Sequence, residues 1–200
     1  GRTVVPGFID SHGHVANLAT TLRIVDLVGT RSYESIIDRV AERAATVQEG
    51  VWVQGRGWDQ NEWADTRFPS NDALTARTPG HPVYLTRVDG HAALVNDLAL
   101  ELAGIDRDTP DPEGGLIVRD PATGEATGVL VDAAMGLVRE QIPAEPREEV
   151  RQGLLAAQRE LHRLGVTSVH DAGVPLDLVE LYEEMGRAGE LSVRNYVMVR

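Results

Sequence analysis

The apolar positions of this chain follow two rhythms, short solid runs and helical spacing, and the rhythm switches repeatedly. Residues 3–12, within "TVVPGFIDSHGHV", predict a buried strand after a Pro6-Gly7 turn, with Phe8 and Ile9 as its apolar body. From Ser32 the spacing becomes helical, with Ile36, Ile37, Val40, Ala44 and Val47 on one side. Ser32 is placed to cap that helix, Ser35 stands at its third position, and Gly50 is placed to end it. "VWVQGRGW" (51–58) alternates as a strand does, and "RFPSNDALTARTPGHP" predicts turns around a short helix capped by Ser70. Residues 82–105 read as a strand over Val83–Val88, a turn at Asp89-Gly90 and a helix from Ala92 to Leu102, stopped by Gly104. "GGLIVRDPATGEATGVLVDAA" (114–134) predicts a β-hairpin around Pro121–Gly124. A long amphipathic helix over Arg147–Leu164, a buried strand at 166–173, a helix at Leu176–Ala188 and a third buried strand at 192–199 complete the pattern.

Strands separated by helices predict βαβ units and a parallel sheet, an α/β architecture. The stretch from 30 to 145 is too mixed for one crossover and reads as an α+β insertion. The expected organisation is a first barrel strand and its loop over 1–29, the insertion over 30–145, and barrel helices with strands two and three over 146–200. The apolar pattern stops at Val199, whereas a complete (β/α)8 barrel takes about 250 residues before insertions. A partial barrel that continues beyond the chain is therefore expected, as is a start at Gly1 that is cut from something longer.

Composition narrows the chemistry. A net charge of −12 argues against a nucleic-acid partner, which demands a basic face. No apolar run approaches the roughly 20 residues of a membrane span, and no cationic-then-apolar leader is visible. The chain has no cysteine, which excludes disulfides, thiolate zinc sites and cysteine nucleophiles and fits a reducing, cytoplasmic setting. It has no lysine either, so a Schiff base, a Walker lysine or a lysine-derived metal bridge must come from elsewhere.

His12 and His14 are the sharpest candidates. Residues i and i+2 of a strand point to one side, so both imidazoles can converge on a divalent ion, and Gly13 lets the backbone come close. Asp10 shares that face and is placed to orient one of them. A bare H-x-H pair also occurs as two solvated residues. Asp89 and His91 sit at a strand end, where side chains face a pocket or cap a helix. His170 and Asp171 end another strand, and the alternatives for them are a satisfied core histidine and a turn-capping aspartate. Trp58, Asp59 and Trp63 can wall an aromatic pocket or sit in the core. His81 and His162 read as structural or surface residues, and Glu148, Glu149, Glu183 and Glu184 as solvated helix faces.

Taken together, "VVPGFIDSHGHV", "WVQGRGWDQNEW", "RFPSNDALTARTPGHPVYLTRVDGHAALVN", "GGLIVRDPATGEATGVLVDAA" and "LGVTSVHDAGV" resemble the amidohydrolase superfamily, amidohydrolase family 3, the branch containing N-substituted formamide deformylases. The resemblance runs co-linearly over the whole chain. It implies a metal-dependent hydrolase on a (β/α)8 TIM-like barrel, acting on non-peptide carbon–nitrogen bonds through a metal-activated water. It implies that His12 and His14 bind the metal, zinc by preference and one or two ions in the intact protein. It also implies that His91 is a substrate-side residue. The carboxylated lysine, later histidines and general acid/base aspartate of the family have no counterpart in these residues, so no catalytic residue is expected within the chain and the chain alone is expected to be inactive. A small amide-type substrate is the expected partner, with no nucleic acid and no membrane, and a homo-oligomer is compatible. Two further readings are open: a metal-dependent phosphoesterase, for which Arg56 and Arg87 are the candidate phosphate ligands, and a non-catalytic remnant.

Overall fold

A computed structural model describes residues 3–200. In chain order the strands are β1 (Phe8–Gly13), β2 (Val25–Asp26), β3 (Val53–Trp58), β4 (Val83–Arg87), β5 (Ala92–Val95), β6 (Gly115–Arg119), β7 (Ala126–Asp132), β8 (Val166–Val174) and β9 (Arg194–Val199). The helices are α1 (Val15–Thr21), α2 (Tyr33–Ala44), α3 (Asp72–Arg77), α4 (Asp97–Leu102), α5 (Ala134–Arg139), α6 (Arg147–Arg163) and α7 (Leu176–Arg187). They form two compact units. One joins the residues up to Arg23 with Ala144–Arg200, and the other is Ile24–Pro143. The second begins ahead of the expected residue 30, because Val25 and Asp26 already pair with Gly55 and Arg56 of β3.

The first unit is a parallel sheet of order β1-β8-β9. Helix α6 carries its apolar stripe as expected, and Leu154, Ala157 and Leu161 pack with Val15 and Ala19 of α1, Val169 of β8, and Leu178, Leu181 and Met185 of α7. Buried Gln158 ties α6 to the approach of β9. Its Oε1 accepts from the Ser192 and Val193 amides at 2.6 and 3.2 Å, and its Nε2 donates to the Glu190 carbonyl. Two strands expected to be buried are not. Phe8 and Ile9 are 65% and 64% exposed, and in β9 Tyr196 and Val199 are also exposed. Both are outer strands of a three-stranded sheet, so the apolar runs that signal a barrel interior have no facing layer within this unit. Gly1 and Arg2 lie outside the described residues.

The second unit holds a six-stranded mixed sheet of order β2-β3-β4-β5-β7-β6, parallel through β4 and antiparallel beyond it. Helix α2 starts at its predicted cap, where Ser32 Oγ accepts from the Ser35 amide, but it ends at Ala44, and Val47 continues it only as a turn. Ser70 sits one residue outside the α3 boundary at Asn71 and accepts from the Asp72 amide. The hairpin at 114–134 forms as predicted. The helix expected over 92–102 does not. Ala92–Val95 pairs antiparallel with β4 through the Asp89-Gly90 turn, where Gly90 has φ +80°, and only Asp97–Leu102 is helical. All four residues of β5 are buried, Ala92 and Leu94 in the core on one sheet face, Ala93 and Val95 in that on the other. A strand covered on both faces shows no alternation, and a solid apolar run beside a helix reads as part of that helix.

Asn96 joins these pieces. It is fully buried, and its Oδ1 accepts from the Val83 and Ala99 amides at 3.0 and 3.2 Å, capping α4 and fixing the start of β4. Its Nδ2 donates to Thr78 Oγ1 and to the His81 carbonyl at 3.1 and 2.8 Å. Replacing Asn96 with Ala strands several buried groups, and we expect a loss of about 3 kcal/mol, read by urea denaturation and by faster hydrogen exchange at the Val83 and Ala99 amides. Gly128 has φ +86°, and a Cβ there would lie 2.4 Å from the Val95 carbonyl oxygen. Gly128→Ala should cost about 2 kcal/mol or more, while Gly90→Ala, with nothing within 4 Å of the added carbon, should cost less in the same assay.

Candidate metal site and the strand-end residues

The end of β1 is shaped by local hydrogen bonds. Asp10 pairs with Val169 and Gly13 with Asp171, and a register shift falls between them, across the histidine segment. Asp10 Oδ1 accepts from the main-chain N–H of His12 at 3.0 Å, so Asp10 organises the backbone instead of orienting a ring as expected. A Cβ on Gly13 would stand 2.6 Å from Val169 Cγ1, which only glycine avoids. His14 then takes the N-cap position of α1.

These constraints bring the two rings together. Their centroids are 5.3 Å apart and their planes are nearly perpendicular at 89°. Two imidazoles sharing one tetrahedral ion at about 2.0–2.1 Å per nitrogen have centroids about 5 Å apart, so the pair fits a common ion. His14 Nδ1 lies 3.0 Å from the Ala172 carbonyl oxygen. A carbonyl only accepts, so Nδ1 carries the proton and the Nε2 lone pair of the neutral ring is left for a ligand. Both histidines are exposed, and a cleft of about 430 Å3 beside His14 is bordered by Asn17, Gly173 and Arg200. Among the described residues no group of three or more His, Asp or Glu side chains gathers as a metal site. The pair therefore supplies two donors, fewer than the three protein ligands of a catalytic zinc centre.

Asp171 is 1% exposed and both its oxygens are engaged. Oδ1 accepts from the Val15 amide at 3.0 Å, and Oδ2 accepts from the Tyr182 hydroxyl at 2.8 Å and from Asn195 Nδ2 at 3.5 Å. Burial, together with the adjacent carboxyl group, pushes the Tyr182 hydroxyl well above its usual pKa. The strand runs on to Val174, so His170 and Asp171 do not end it as expected; instead of facing a substrate, Asp171 pins β8 to the first turn of α1, next to His14. His170, on the same strand, is half-buried and tilts against the Tyr196 ring at 5.1 Å.

In the second unit Trp58 takes the core position, the second of its two expected roles, and lines no pocket. It is fully buried, and its indole N–H donates to the Leu85 carbonyl at 2.8 Å. Trp63 stacks on Tyr33 at 6.0 Å. Asp89 receives two hydrogen bonds from Arg87, at 2.9 and 2.6 Å, which hold its carboxyl down at a pKa of about 2. His91 is exposed, and its Nδ1 lies 2.8 Å from Asp132 Oδ1. The arginines that a phosphate site would need are engaged with the protein, Arg87 by Asp89 and Arg56 through a 3.2 Å bond to the Val88 carbonyl. Tyr182 and Asp132 are the functional-looking residues that sequence reasoning missed. A tyrosine on an amphipathic helix and an aspartate at a hairpin end carry no local signal. Only long-range contacts single them out.

Residues 1–196 match the Amidohydrolase family. The protein YtcJ of Bacillus subtilis (strain 168) is 34% identical over 207 residues, an alignment covering 100% of this chain and 38% of YtcJ. The N-substituted formamide deformylase of Arthrobacter pascens is 30% identical and is matched over 96% of this chain and 36% of its own length. The crystal structure of an uncharacterized metal-dependent hydrolase from Pyrococcus horikoshii OT3 superposes with a TM-score of 0.71 at 30% identity, covering 97% of this chain and 36% of that one. The chain thus spans well under half the length of these relatives. Its motifs, fold and matches agree: the chain belongs to the amidohydrolase family.

Proposed function

We propose that the chain is the first part of a (β/α)8-barrel hydrolase that cleaves carbon–nitrogen bonds other than peptide bonds, with a divalent metal held in part by His12 and His14. The observation that carries this reading is the imidazole pair, 5.3 Å between centroids, with the His14 tautomer set by the Ala172 carbonyl. The parallel order β1-β8-β9 with intervening helices supports the barrel, and residues 24–143 are then an insertion after the first strand. The deformylase relative supports the bond class, and the Pyrococcus relative supports the metal. Imidazole donors without thiolates suit zinc, and a cysteine-free chain suits the cytoplasm.

A divalent ion, zinc by preference, held in part by His12 and His14 would supply Lewis-acid polarisation of the scissile carbonyl and activation of water at neutral pH. The chain's own residues hold that chemistry in place. Asp10 fixes the His12 backbone, Ala172 fixes the His14 ring, and Asp171 with Tyr182 anchors the helix that starts beside it. His91, Asp89 and His170 are proposed as substrate-side residues, and the substrate as a small amide such as an N-substituted formamide. With two of the metal ligands and no acid/base aspartate, the 200-residue chain alone is proposed to be inactive.

Calorimetric titration of the metal-free chain with zinc should find one site, and the His12→Ala, His14→Ala double variant should bind about tenfold more weakly or worse. Gly13→Ala should also weaken binding, through its clash with Val169. Equal binding by the double variant would support a non-catalytic remnant instead. Zinc-loaded chain mixed with N-benzylformamide should release no benzylamine by chromatography; release would show that these residues suffice for catalysis.

A further inference from the structure

One end of the mixed sheet in the second unit holds an imidazole in an unusually determined position. His91 is tied at three atoms. Its amide donates to Asp89 Oδ1 at 3.0 Å, its carbonyl accepts from the Asp132 amide at 3.1 Å, and its Nδ1 donates to Asp132 Oδ1 at 2.8 Å. Asp89 is itself fixed by the two-point contact with Arg87. Asp132 has φ +48°, the one non-glycine residue with positive φ among those described. Strained backbone of this kind persists where the surroundings over-determine it, and such sites are enriched in function.

Fold stability does not account for the arrangement. The His91 and Asp132 side chains are 70% and 50% exposed, and exposed polar contacts of this kind contribute little to stability. What the arrangement produces is a rigid imidazole that, in the neutral ring, carries its proton on Nδ1, where a carboxylate accepts it, and a lone pair on Nε2. The setting is also electronegative. Asp89, Asp59 and Asp132 all act on the guanidinium of Arg87, and with Arg56 held on the Val88 carbonyl the count is three carboxylates to two cations. A hydrogen-bond acceptor in a negative field selects a nitrogen that bears protons, and it repels a carboxylate or phosphate.

We propose that His91, positioned by Asp132, binds the N–H end of a ligand, an ammonium or amide nitrogen, and that Asp132 is the positioning residue of this site. The inference deepens the substrate-side assignment of His91 and rests on that reading, but it does not use the metal pair, so the two can fail separately.

The test is NMR of the histidine ring nitrogens in the full chain, with benzylammonium as probe and benzoate as its anionic counterpart. His91 should show the Nδ1–H tautomer, and benzylammonium should shift its Nε2 saturably, whereas benzoate should not. Asp132→Gly accepts the positive φ but removes the carboxylate. It should lose the tautomer preference and bind the probe about tenfold more weakly, the effect of one hydrogen bond to a charged group. Asp132→Asn, which tolerates the same backbone and keeps an acceptor oxygen, should retain the tautomer and restore part of the binding. Zinc titration at His12 and His14 should be unchanged in both variants. An Nε2–H tautomer in the parent chain, benzoate binding as tightly as benzylammonium, or Asp132→Gly binding like the parent would overturn the proposal.

Discussion

A carboxyl group buried to 1% exposure has to be satisfied by the protein around it, and in the strand-and-helix unit that requirement organises everything near the histidine pair. Asp171 reaches α1 through the Val15 amide, α7 through the Tyr182 hydroxyl and β9 through Asn195. Three consecutive elements, β8, α7 and β9, and the distant α1 thus converge on one side chain. Because Val15 follows His14 directly, satisfying Asp171 also sets where the second histidine stands. The carboxyl group is therefore a structural determinant of where the histidine pair stands.

The two histidine sites share a physical device. In each, the ring nitrogen that faces the protein is paired with an oxygen that can only accept, the Ala172 carbonyl for His14 and the Asp132 carboxylate for His91. Each pairing leaves the other nitrogen as a lone pair directed elsewhere. Exposed imidazoles are otherwise free to exchange tautomers and rotamers. A fixed tautomer lowers the ordering cost of binding, whether the ligand is a metal or a protonated nitrogen.

Much of this was legible in the chain itself. Helix α6, the hairpin at 114–134 and the strand at 166–174 carry strong periodicity and glycine stops, and they fold as the pattern predicts. The H-x-H pair and its place at a strand end were legible too. What misled was burial, which is a property of neighbours. Ala92–Val95 is covered on both sheet faces, so it shows none of the alternation that marks a strand. Phe8 and Ile9 have the composition of a core strand, yet lie at a sheet edge. Trp58 suits a pocket wall as well as a core, and what decides is that its indole N–H is taken by a carbonyl of the next strand. Asp132 could not be found at all, because what singles it out is a backbone angle and a partner, His91, from a turn 41 residues away.

The bond between His14 and Ala172 spans 158 positions of sequence. Its ends meet only after the whole intervening segment has been bypassed and β8 has docked against β1. Closing a contact of such separation costs chain entropy, a cost that grows slowly with the length of the loop. Before that moment the His14 ring has no reason to prefer the tautomer that offers Nε2. The tautomer that offers Nε2 is therefore a property of the docked sheet and not of the H-x-H segment: a proton held on His14 Nδ1 reports that the two distant ends of the sheet have found each other.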